Sequence, residues 1–212
     1  NHQKMIEESP SAAVSSELRE KMGHAAVTAA KAAGYVNAGT IEFLLEPDGK
    51  FWFMEMNTRI QVEHPVTEWV TGIDLVKEQL KIASGMPLEI SQEDVRIQGH
   101  AIECRINAEN PQKNFRPSPG TIQGAHFPGG NGIRVDTCVY NGCKIPPYYD
   151  SMLAKLIVHA GNRKEAIAKM QSALGEVIID GIDTNIDYQY EILKDEDYQS
   201  GNFDTGFLAS HI

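Results

Sequence analysis

Two apolar runs in the first half of the chain predict a β-hairpin. The runs at 40–46 and 51–58 are rich in β-branched and aromatic residues, which favour strands. The four residues 47–50 between them include a proline, an aspartate and a glycine, which favour tight turns. We therefore predict two antiparallel strands joined by a four-residue loop.

Helices are predicted where apolar positions recur with helical spacing behind a polar residue that can cap a helix N-terminus. The predicted helices are 17–33 behind Ser15 or Ser16, 75–84 behind Asp74, 163–175 behind Asn162, and 185–193 behind Thr184. Gly34 and Gly85 are expected to end the first two, because glycine accepts the left-handed conformation common after a helix. The first half of the chain therefore combines two helices with the hairpin.

The second half is typical of a β-rich region closed by helices. The segment 95–107 alternates apolar and polar residues as a strand does, and proline, glycine and asparagine punctuate 110–132 as turns. Further strands are predicted at 133–139 and 152–160. We predict an α+β protein with two domains, 1–95 and 96–212.

The composition is that of a soluble globular protein. Of 212 residues, 42% are apolar and 23% are charged, and no run of about 18 apolar residues could span a membrane. The net charge of −10 argues against general nucleic-acid binding, which needs clustered lysine and arginine. Much of the negative charge lies in 183–212, which contains seven carboxylates and a single basic residue, Lys194. We interpret this segment as a solvated surface.

The cysteines and the first residue give two expectations about the setting of the protein. The three cysteines include no Cys-x-x-Cys pair, so we expect reduced thiols in a cytoplasmic protein and no structural zinc site. The chain begins at Asn1 instead of methionine, so we expect it to be part of a longer protein.

The predicted hairpin sets two carboxylates face to face. A loop at 47–50 places Glu42 opposite Glu55 on the neighbouring strand. Like charges directly across a ladder are unfavourable, and a cation between them removes the repulsion. Mg²⁺ takes oxygen ligands and commonly binds through one or two carboxylates plus substrate phosphates. Asn57, two residues beyond Glu55, offers a further carbonyl oxygen.

The alternative is a pair of glutamates on a solvated sheet face. The neighbouring runs at 43–45 and 51–54 are too apolar for an open surface, which favours a metal site. The residues alone leave both interpretations open.

The segment after the second strand brings further candidates. Arg59 carries a planar guanidinium group suited to a carboxylate, a phosphate or bicarbonate. Glu63 is a possible general base. His64 precedes Pro65, so we expect an extended conformation, and with no second histidine at ligand spacing we expect a structural role for it.

A later strand carries a charged row. Glu103, Arg105 and Asn107 alternate with apolar residues and should therefore share one face. Such a row suits the wall of a site, and it suits equally an ordinary half-exposed strand.

Several runs of the chain resemble biotin carboxylase, the ATP-grasp subunit or domain of biotin-dependent carboxylases. The matching runs are HQK at 2–4, GTIEFL at 39–44, FMEMNTRIQVEHPVTE at 53–68, GHAIECRINAE at 99–109, PSPG at 117–120 and PYYDSM at 147–152. The resemblance covers nearly the whole chain, in order, and is to the second half of a longer subunit. It implies that 1–95 is the C-terminal part of an ATP-grasp domain, an antiparallel sheet with helices. Residues 96–212 would be the biotin carboxylase C-terminal domain, which is β-rich with flanking helices.

The resemblance implies an enzyme, a ligase that forms a C–N bond by carboxylating biotin on a carrier protein. In that family, bicarbonate attacks the γ-phosphate of MgATP to give carboxyphosphate, which breaks down to CO₂ and phosphate. This phosphate removes the ureido proton of biotin, whose enolate then takes up CO₂. The implied cofactors are ATP, Mg²⁺ or Mn²⁺, and biotin as a carrier-bound substrate.

Matching positions in the family also imply roles for single residues. The implied nucleotide-binding residues are His2, Glu42, Leu44 and Glu55, and the implied metal ligands are Glu42, Glu55 and Asn57. The implied bicarbonate-binding residues are Arg59, Gln61, Val62 and Glu63, with Lys4 nearby. Glu63 would deprotonate bicarbonate, and Arg105 would stabilise the biotin enolate. Asp150 would help to orient Arg105 or biotin. Glu63, Arg59, Arg105 and Lys4 are thus the implied catalytic residues.

The resemblance implies three partners: a biotin carboxyl carrier protein, a carboxyltransferase, and a second copy in a homodimer, with Arg134 as a candidate contact. No nucleic-acid or membrane partner is expected. We expect the parent to be the acetyl-CoA carboxylase of fatty acid synthesis, with pyruvate or propionyl-CoA carboxylase as alternatives. Another ATP-grasp ligase and a noncatalytic interaction module are the competing hypotheses.

The chain departs from the family pattern in one respect. The glycine-rich lid loop over the ATP phosphates, and the lysines before it, have no counterpart in this sequence. The glycine-rich run at 129–132 follows Pro128 and precedes a predicted strand, so we interpret it as a turn. We therefore expect the 212-residue chain on its own to lack biotin-dependent ATPase activity.

Overall fold

The computed structural model describes residues 4–210, and these form two compact units. One unit comprises residues 10–97, and the other comprises residues 4–9 together with 98–210. The division between the units lies at 97/98, and the segment 4–9 belongs to the second unit. Within the described residues, no helix is long and apolar enough to cross a membrane.

Helices and antiparallel strands are mixed along the chain, as the α+β assignment requires. The helices are α1 Ser16–Ala32, α2 His64–Thr71, α3 Leu75–Ala83, α4 Arg163–Glu176, α5 Ile186–Lys194 and α6 Glu196–Ser200. The strands are β1 Ile6–Ser9, β2 Thr40–Leu45, β3 Phe51–Asn57, β4 His100–Asn107, β5 Glu109–Asn110, β6 Arg116–Pro117, β7 Gly120–Thr121, β8 Gly124–His126, β9 Ile133–Thr137, β10 Lys144–Ile145, β11 Met152–Ala160 and β12 Ile178–Asp180.

Three of the predicted helix caps are confirmed. The side chains of Ser15, Asp74 and Asn162 each accept a hydrogen bond from the backbone N–H three residues on, at 3.2, 2.8 and 3.0 Å. The fourth prediction is wrong: α5 begins behind Asn185 instead of Thr184, and the Asn185 side chain makes no hydrogen bond to the helix. That side chain has other partners, on β4.

The second unit is built on a four-stranded antiparallel sheet with the order β1–β4–β11–β9. Strand β4 lies inside the sheet, so that Cys104 pairs with Ile6 of β1 on one side and with Leu156 of β11 on the other. The ladder between β4 and β11 is irregular between Met152 and Ala154. This irregularity lies at the end of β4 that carries Arg105 and Asn107.

One face of this sheet forms the core of the unit. Ile102, Cys104 and Ile106 of β4 are fully buried and belong to the same apolar cluster as Ala166 and Met170 of α4. Because neighbouring side chains of a strand point to opposite faces, β4 can offer its apolar residues to the helices and its charged residues to the other face.

The other face carries a row of charges. Glu103 is wholly buried, and the side chain of Arg105 is 17% exposed, so the interpretation of an ordinary half-exposed strand is wrong. Lys155 of β11 pairs with Arg105 in the register and lies 3.3 Å from Asp136 of β9, counting from Nζ to Oδ2. Carboxylates therefore lie near the two neighbouring cations and offset their repulsion.

A buried ion network ties β1 to the C-terminal helices. The Glu8 carboxylate accepts hydrogen bonds from Arg163 Nε at 2.7 Å and Arg163 Nη2 at 3.2 Å, and His100 Nε2 lies 2.7 Å from it. Arg163 also donates to the carbonyl oxygen of Tyr198, at 2.9 Å. Burial alone would raise the pKa of Glu8, but the hydrogen bonds from His100 and Arg163 outweigh it and hold the pKa below its ordinary value.

We predict that Glu8→Gln destabilises the second unit by on the order of 3 kcal/mol, because it breaks a buried ion pair and leaves Arg163 without its charge partner. Since the folded-state pKa is lowered, the ionised carboxylate stabilises the fold above the ordinary pKa of glutamate. This contribution is lost as the pH falls through the lowered value. Urea unfolding at pH 7 and at about pH 3 measures both effects.

The matched control is Glu17→Gln, which removes an exposed carboxylate that accepts a 2.7 Å hydrogen bond from Lys21 on α1. It should leave stability nearly unchanged. Equal losses in the two variants would contradict the role of Glu8, as would a difference between wild type and Glu8→Gln that persists undiminished in acid.

Candidate active site

The hairpin β2–β3 places Glu42 directly opposite Glu55, which confirms the predicted facing of the two carboxylates. The path to that register differs from the one expected. The loop is one residue longer than predicted, so Leu45 pairs with Phe51, and a bulge at Met54 then restores the opposition. Without this bulge the longer loop would have shifted the two glutamates out of register.

The Asn57 amide bridges the two carboxylates, and the Gln61 amide contacts one of them. Asn57 Nδ2 donates to Glu42 Oε1 at 3.1 Å and to Glu55 Oε1 at 2.9 Å. Gln61 Nε2 donates to the same Glu42 oxygen at 2.6 Å, and Gln61 is itself 8% exposed. Donated N–H groups partly offset the repulsion of the two negative charges, as a cation near them would.

Arg59 extends this network by one step. Its Nη2 donates to Asn57 Oδ1 at 3.3 Å, and its Nη1 donates to the carbonyl oxygen of Ile60 at 3.1 Å. The Asn57 amide therefore turns its N–H group to the carboxylates and its oxygen to Arg59. For Asn57 to ligate a metal through oxygen, this amide must rotate by a half-turn, which would also present N–H to Arg59.

Glu63 lies directly before α2, in the segment that follows β3. It occupies the N-cap position of that helix without a capping hydrogen bond from its side chain, and Val62 lies beside it in the same turn. The N-terminus of a helix carries partial positive charge, which favours an anion nearby.

His64 does not have the extended conformation that we expected. It is the first residue of α2, because Pro65 stands in the first turn, where proline fits a helix and no N–H is required. Its Nδ1 lies 2.8 Å from the carbonyl oxygen of Gln61, and its Nε2 lies 3.8 Å from a Glu68 oxygen. Both ring nitrogens have neighbours within the protein, in agreement with a structural role.

The remaining sequence-predicted residues are distributed as follows. Leu44 lies on β2 and is 51% exposed. Lys4, Arg105 and Asp150 belong to the other unit, and His2 lies outside the described residues. The structure therefore brings together the carboxylates, Asn57, Arg59 and Gln61.

In the second unit, Arg105 has carboxylates on two sides. Its Nη2 lies 3.7 Å from Glu7 Oε1, and its Nε lies 3.9 Å from Glu103 Oε1. Asp150 accepts a hydrogen bond from the N–H of Met152 at 2.8 Å and thereby holds the turn before β11. The role expected of Asp150, to help orient Arg105 or biotin, stays a prediction.

The donor set fits a hard divalent cation that also binds a ligand. Within residues 4–210, no group of three or more histidine, cysteine, aspartate and glutamate side chains forms a metal cage. Two opposed carboxylates and an amide oxygen are what Mg²⁺ uses when phosphate oxygens complete its coordination. The hairpin could thus hold Mg²⁺ together with a nucleotide, with Glu42 and Glu55 as the protein ligands.

Two family models match the chain, one for each half. Residues 103–210 match the biotin carboxylase C-terminal domain, and residues 1–91 match the ATP-binding domain of the carbamoyl-phosphate synthase L chain. The second match defines the first half as part of an ATP-binding domain. The first match covers half of the chain, and the chain belongs to the biotin carboxylase family.

Curated relatives agree with this assignment. The chain is 59% identical over 210 residues to biotin carboxylase 1 of Bacillus subtilis, which covers 99% of the chain and 47% of that protein. It is 56% identical over 210 residues to a pyruvate carboxylase subunit from Methanothermobacter thermautotrophicus, which covers 99% of the chain and 43% of that protein. The chain thus spans about half the length of the curated relatives that it matches.

Solved structures agree in fold. The biotin carboxylase domain dimer of the 2-oxoglutarate carboxylase of Hydrogenobacter thermophilus, in complex with MgADP, ADP and bicarbonate, matches with a TM-score of 0.97 and 50% identity. The match covers 99% of this chain and 46% of that one. The biotin carboxylase subunit of a pyruvate carboxylase matches with a TM-score of 0.97 and 51% identity, over 100% of this chain and 47% of that one.

We predict that Glu55→Gln weakens the binding of Mg²⁺ in the presence of ADP by at least about tenfold, because one of two charged ligands becomes neutral. Isothermal titration of the 212-residue chain measures this affinity.

Glu46→Gln is the control on the same hairpin, because Glu46 accepts a 2.8 Å hydrogen bond from Trp52 Nε1 and has no place in the carboxylate pair. It should bind Mg²⁺ as the wild type does. Equal binding by wild type and Glu55→Gln would count against the metal site.

Proposed function

We propose that the chain is the second half of a biotin carboxylase, and that the complete protein carboxylates biotin on its carrier protein with MgATP and bicarbonate. The observation that carries this proposal is the joining of Glu42 and Glu55 through Asn57, at 2.9 and 3.1 Å, beside Arg59 and Gln61. The family membership supports it, and so does the neighbouring 2-oxoglutarate carboxylase domain, which was crystallised with MgADP and bicarbonate.

In this proposal, the hairpin binds the metal and the nucleotide. Glu42 and Glu55 hold Mg²⁺, or Mn²⁺, with Asn57 assisting once its amide has turned. When bound, the metal ion neutralises charge on the phosphates and makes the γ-phosphate a better electrophile. His2 and Leu44 are the proposed contacts to the rest of the nucleotide.

The turn after β3 is the proposed bicarbonate site. Arg59 offers two N–H groups to an anion, Gln61 offers its amide, and the backbone of Val62 lies between them and Glu63. Glu63 takes the proton from bicarbonate, so that the oxygen can attack the γ-phosphate and give carboxyphosphate. Lys4 is a further proposed cation for this step.

The second unit would provide the biotin side of the reaction. Arg105 is the proposed stabiliser of the biotin enolate, since a fixed cation near a developing anion lowers the barrier without reorganisation. Asp150 is proposed to help orient Arg105 or biotin.

The particular carboxylase is a finer proposal. We propose the biotin carboxylase subunit of acetyl-CoA carboxylase in cytoplasmic fatty acid synthesis, with a biotin carboxyl carrier protein and a carboxyltransferase as partners. The similarity to biotin carboxylase 1 of Bacillus subtilis supports this parent, and the similarity to a pyruvate carboxylase subunit favours the alternative. Carboxyl transfer to acetyl-CoA compared with pyruvate distinguishes the two.

A homodimer is a further part of the proposal. Arg134 on β9 is the candidate contact, and it is held on its own strand by Asp136 through bonds of 2.8 and 2.9 Å. The relative from Hydrogenobacter thermophilus, which is described as a dimer, supports it.

We predict that Glu63→Gln in the complete protein lowers kcat for bicarbonate-dependent ATP cleavage by about a hundredfold or more, because an amide cannot accept the proton of bicarbonate. The KM for ATP should change little. Phosphate release at varied ATP and bicarbonate measures both constants.

Glu93→Gln, at an exposed glutamate of the same unit, is the control and should keep the wild-type kcat. Wild-type turnover in Glu63→Gln would contradict the assignment of Glu63 as the base. Failure of the wild type to carboxylate biotin would contradict the proposed function itself.

A further inference from the structure

Two side-chain amides are buried at the start of α5, in the second unit. Asn185 and Gln189 are both 0% exposed. They stand four residues apart, at positions that face the same side of a helix. Burying an amide costs free energy unless its polar atoms find partners, so the partners show what the two residues do.

Both amides converge on the carbonyl oxygen of Arg105. Asn185 Nδ2 donates to this oxygen at 3.0 Å, and Gln189 Nε2 donates to it at 2.7 Å. A carbonyl oxygen has two lone pairs, and two donors can occupy both. The carbonyl group of Arg105 is thus held by two side chains at the start of a helix that follows it by about eighty residues, while its N–H donates to the Met5 carbonyl oxygen at 3.0 Å.

Asn185 also forms two hydrogen bonds with the backbone of Asn107, two residues further along the same strand. Its Oδ1 accepts from the N–H of Asn107 at 2.8 Å, and its own N–H donates to the Asn107 carbonyl oxygen at 3.3 Å. These contacts lie just beyond the ladder with β1, which ends at the pair of Ile6 and Cys104, next to the hydrogen bond that the N–H of Arg105 donates to the Met5 carbonyl oxygen at 3.0 Å. The amides hold the backbone of β4 where the ladder with β1 ends.

These contacts to β4 leave two polar groups of α5 without the hydrogen bonds that would stabilise the helix. Asparagine at an N-cap normally accepts a bond from the helix, but Asn185 forms none because its oxygen is used by β4. Gln189 Oε1 is buried with no hydrogen-bond partner among the described residues. An apolar side chain would avoid that cost, so a general packing role does not account for Gln189.

We propose that Asn185 and Gln189 are positioning residues for Arg105, which set the place of its guanidinium group through its backbone. Two guanidinium nitrogens of Arg105 lie 3.7 Å from Glu7 Oε1 and 3.9 Å from Glu103 Oε1. Because the side chain extends from its own backbone, a shift of the Arg105 backbone moves the positions that the guanidinium group can reach. The inference rests on the proposed function for the part that Arg105 takes in biotin carboxylation.

The test uses the complete protein and compares two rates. Bicarbonate-dependent ATP cleavage without biotin depends on the hairpin site, whereas carboxylation of free biotin also needs Arg105. The ratio of the second rate to the first isolates the step at Arg105. A purely structural defect lowers both rates together and leaves the ratio unchanged.

Gln189→Met is the main variant, because methionine has a similar length and no N–H donor. Asn185→Ser is the second, because serine is a good N-cap that can bond to α5 but is too short to reach the Arg105 carbonyl as well. The matched control is Gln171→Met, which removes an equivalent 2.9 Å amide bond to the carbonyl oxygen of Leu193, at the other end of α5.

The expected result is a fall in the ratio of at least about tenfold in Gln189→Met and Asn185→Ser, since small misplacements of a catalytic group cost large factors in rate. ATP cleavage without biotin should stay within about twofold of wild type, and Gln171→Met should keep the wild-type ratio.

Two results would overturn the proposal: an unchanged ratio in both amide variants, or a parallel fall of both rates in whichever variant folds. Arg105→Lys shows whether the assay senses that residue. If the wild type does not carboxylate biotin, the proposed function fails. If Arg105→Lys lowers the ratio of biotin carboxylation to ATP cleavage and both amide variants keep the wild-type ratio, only the positioning role fails.

Discussion

The repulsion between two glutamates held across a single hairpin is the constraint on which the candidate site depends. Glu42 and Glu55 face each other because a bulge at Met54 corrects the offset left by the longer loop. The site tolerates this pair through N–H groups from Asn57 and Gln61, which converge on the same carboxylate oxygen. Because these N–H donors only partly offset the two negative charges, a divalent cation could replace the donors at the carboxylate oxygens.

The second unit solves a different problem, that of holding one cation in a fixed place. Strand β4 buries its apolar residues against helices and leaves Arg105 on a face with Glu7 and Glu103. The strand is secured at this point by buried amides from α5, at some cost to the helix cap. Stability and placement thus compete at Asn185, and the structure favours placement.

Local chemistry made much of the fold predictable. The caps Ser15, Asp74 and Asn162 follow from short-range rules. The carboxylates of the hairpin face each other as predicted, but through a longer loop and a bulge at Met54 that the turn residues did not predict. The errors arise where distant contacts prevail. Thr184 was a reasonable cap by local rules, but Asn185 binds a strand far away in sequence. Strand β1 was not predicted, because it has four residues, two of them glutamates, and no local strand pattern. It forms a strand by pairing with β4, which is distant in sequence. The hydrogen bond from Gln61 to Glu42, residues nineteen apart in sequence, likewise could not be predicted from local rules.

The central claim is that the paired carboxylates of the hairpin form a nucleotide-linked metal site, and anomalous diffraction tests it most directly. Crystals of the complete protein grown with Mn²⁺ and ADP would locate the ion without reference to activity. The account predicts an anomalous peak about 2.2 Å from oxygens of both Glu42 and Glu55, a distance close to that of hard divalent ions on carboxylates. A nucleotide-bound Mn²⁺ ion that lies away from both carboxylates would contradict it.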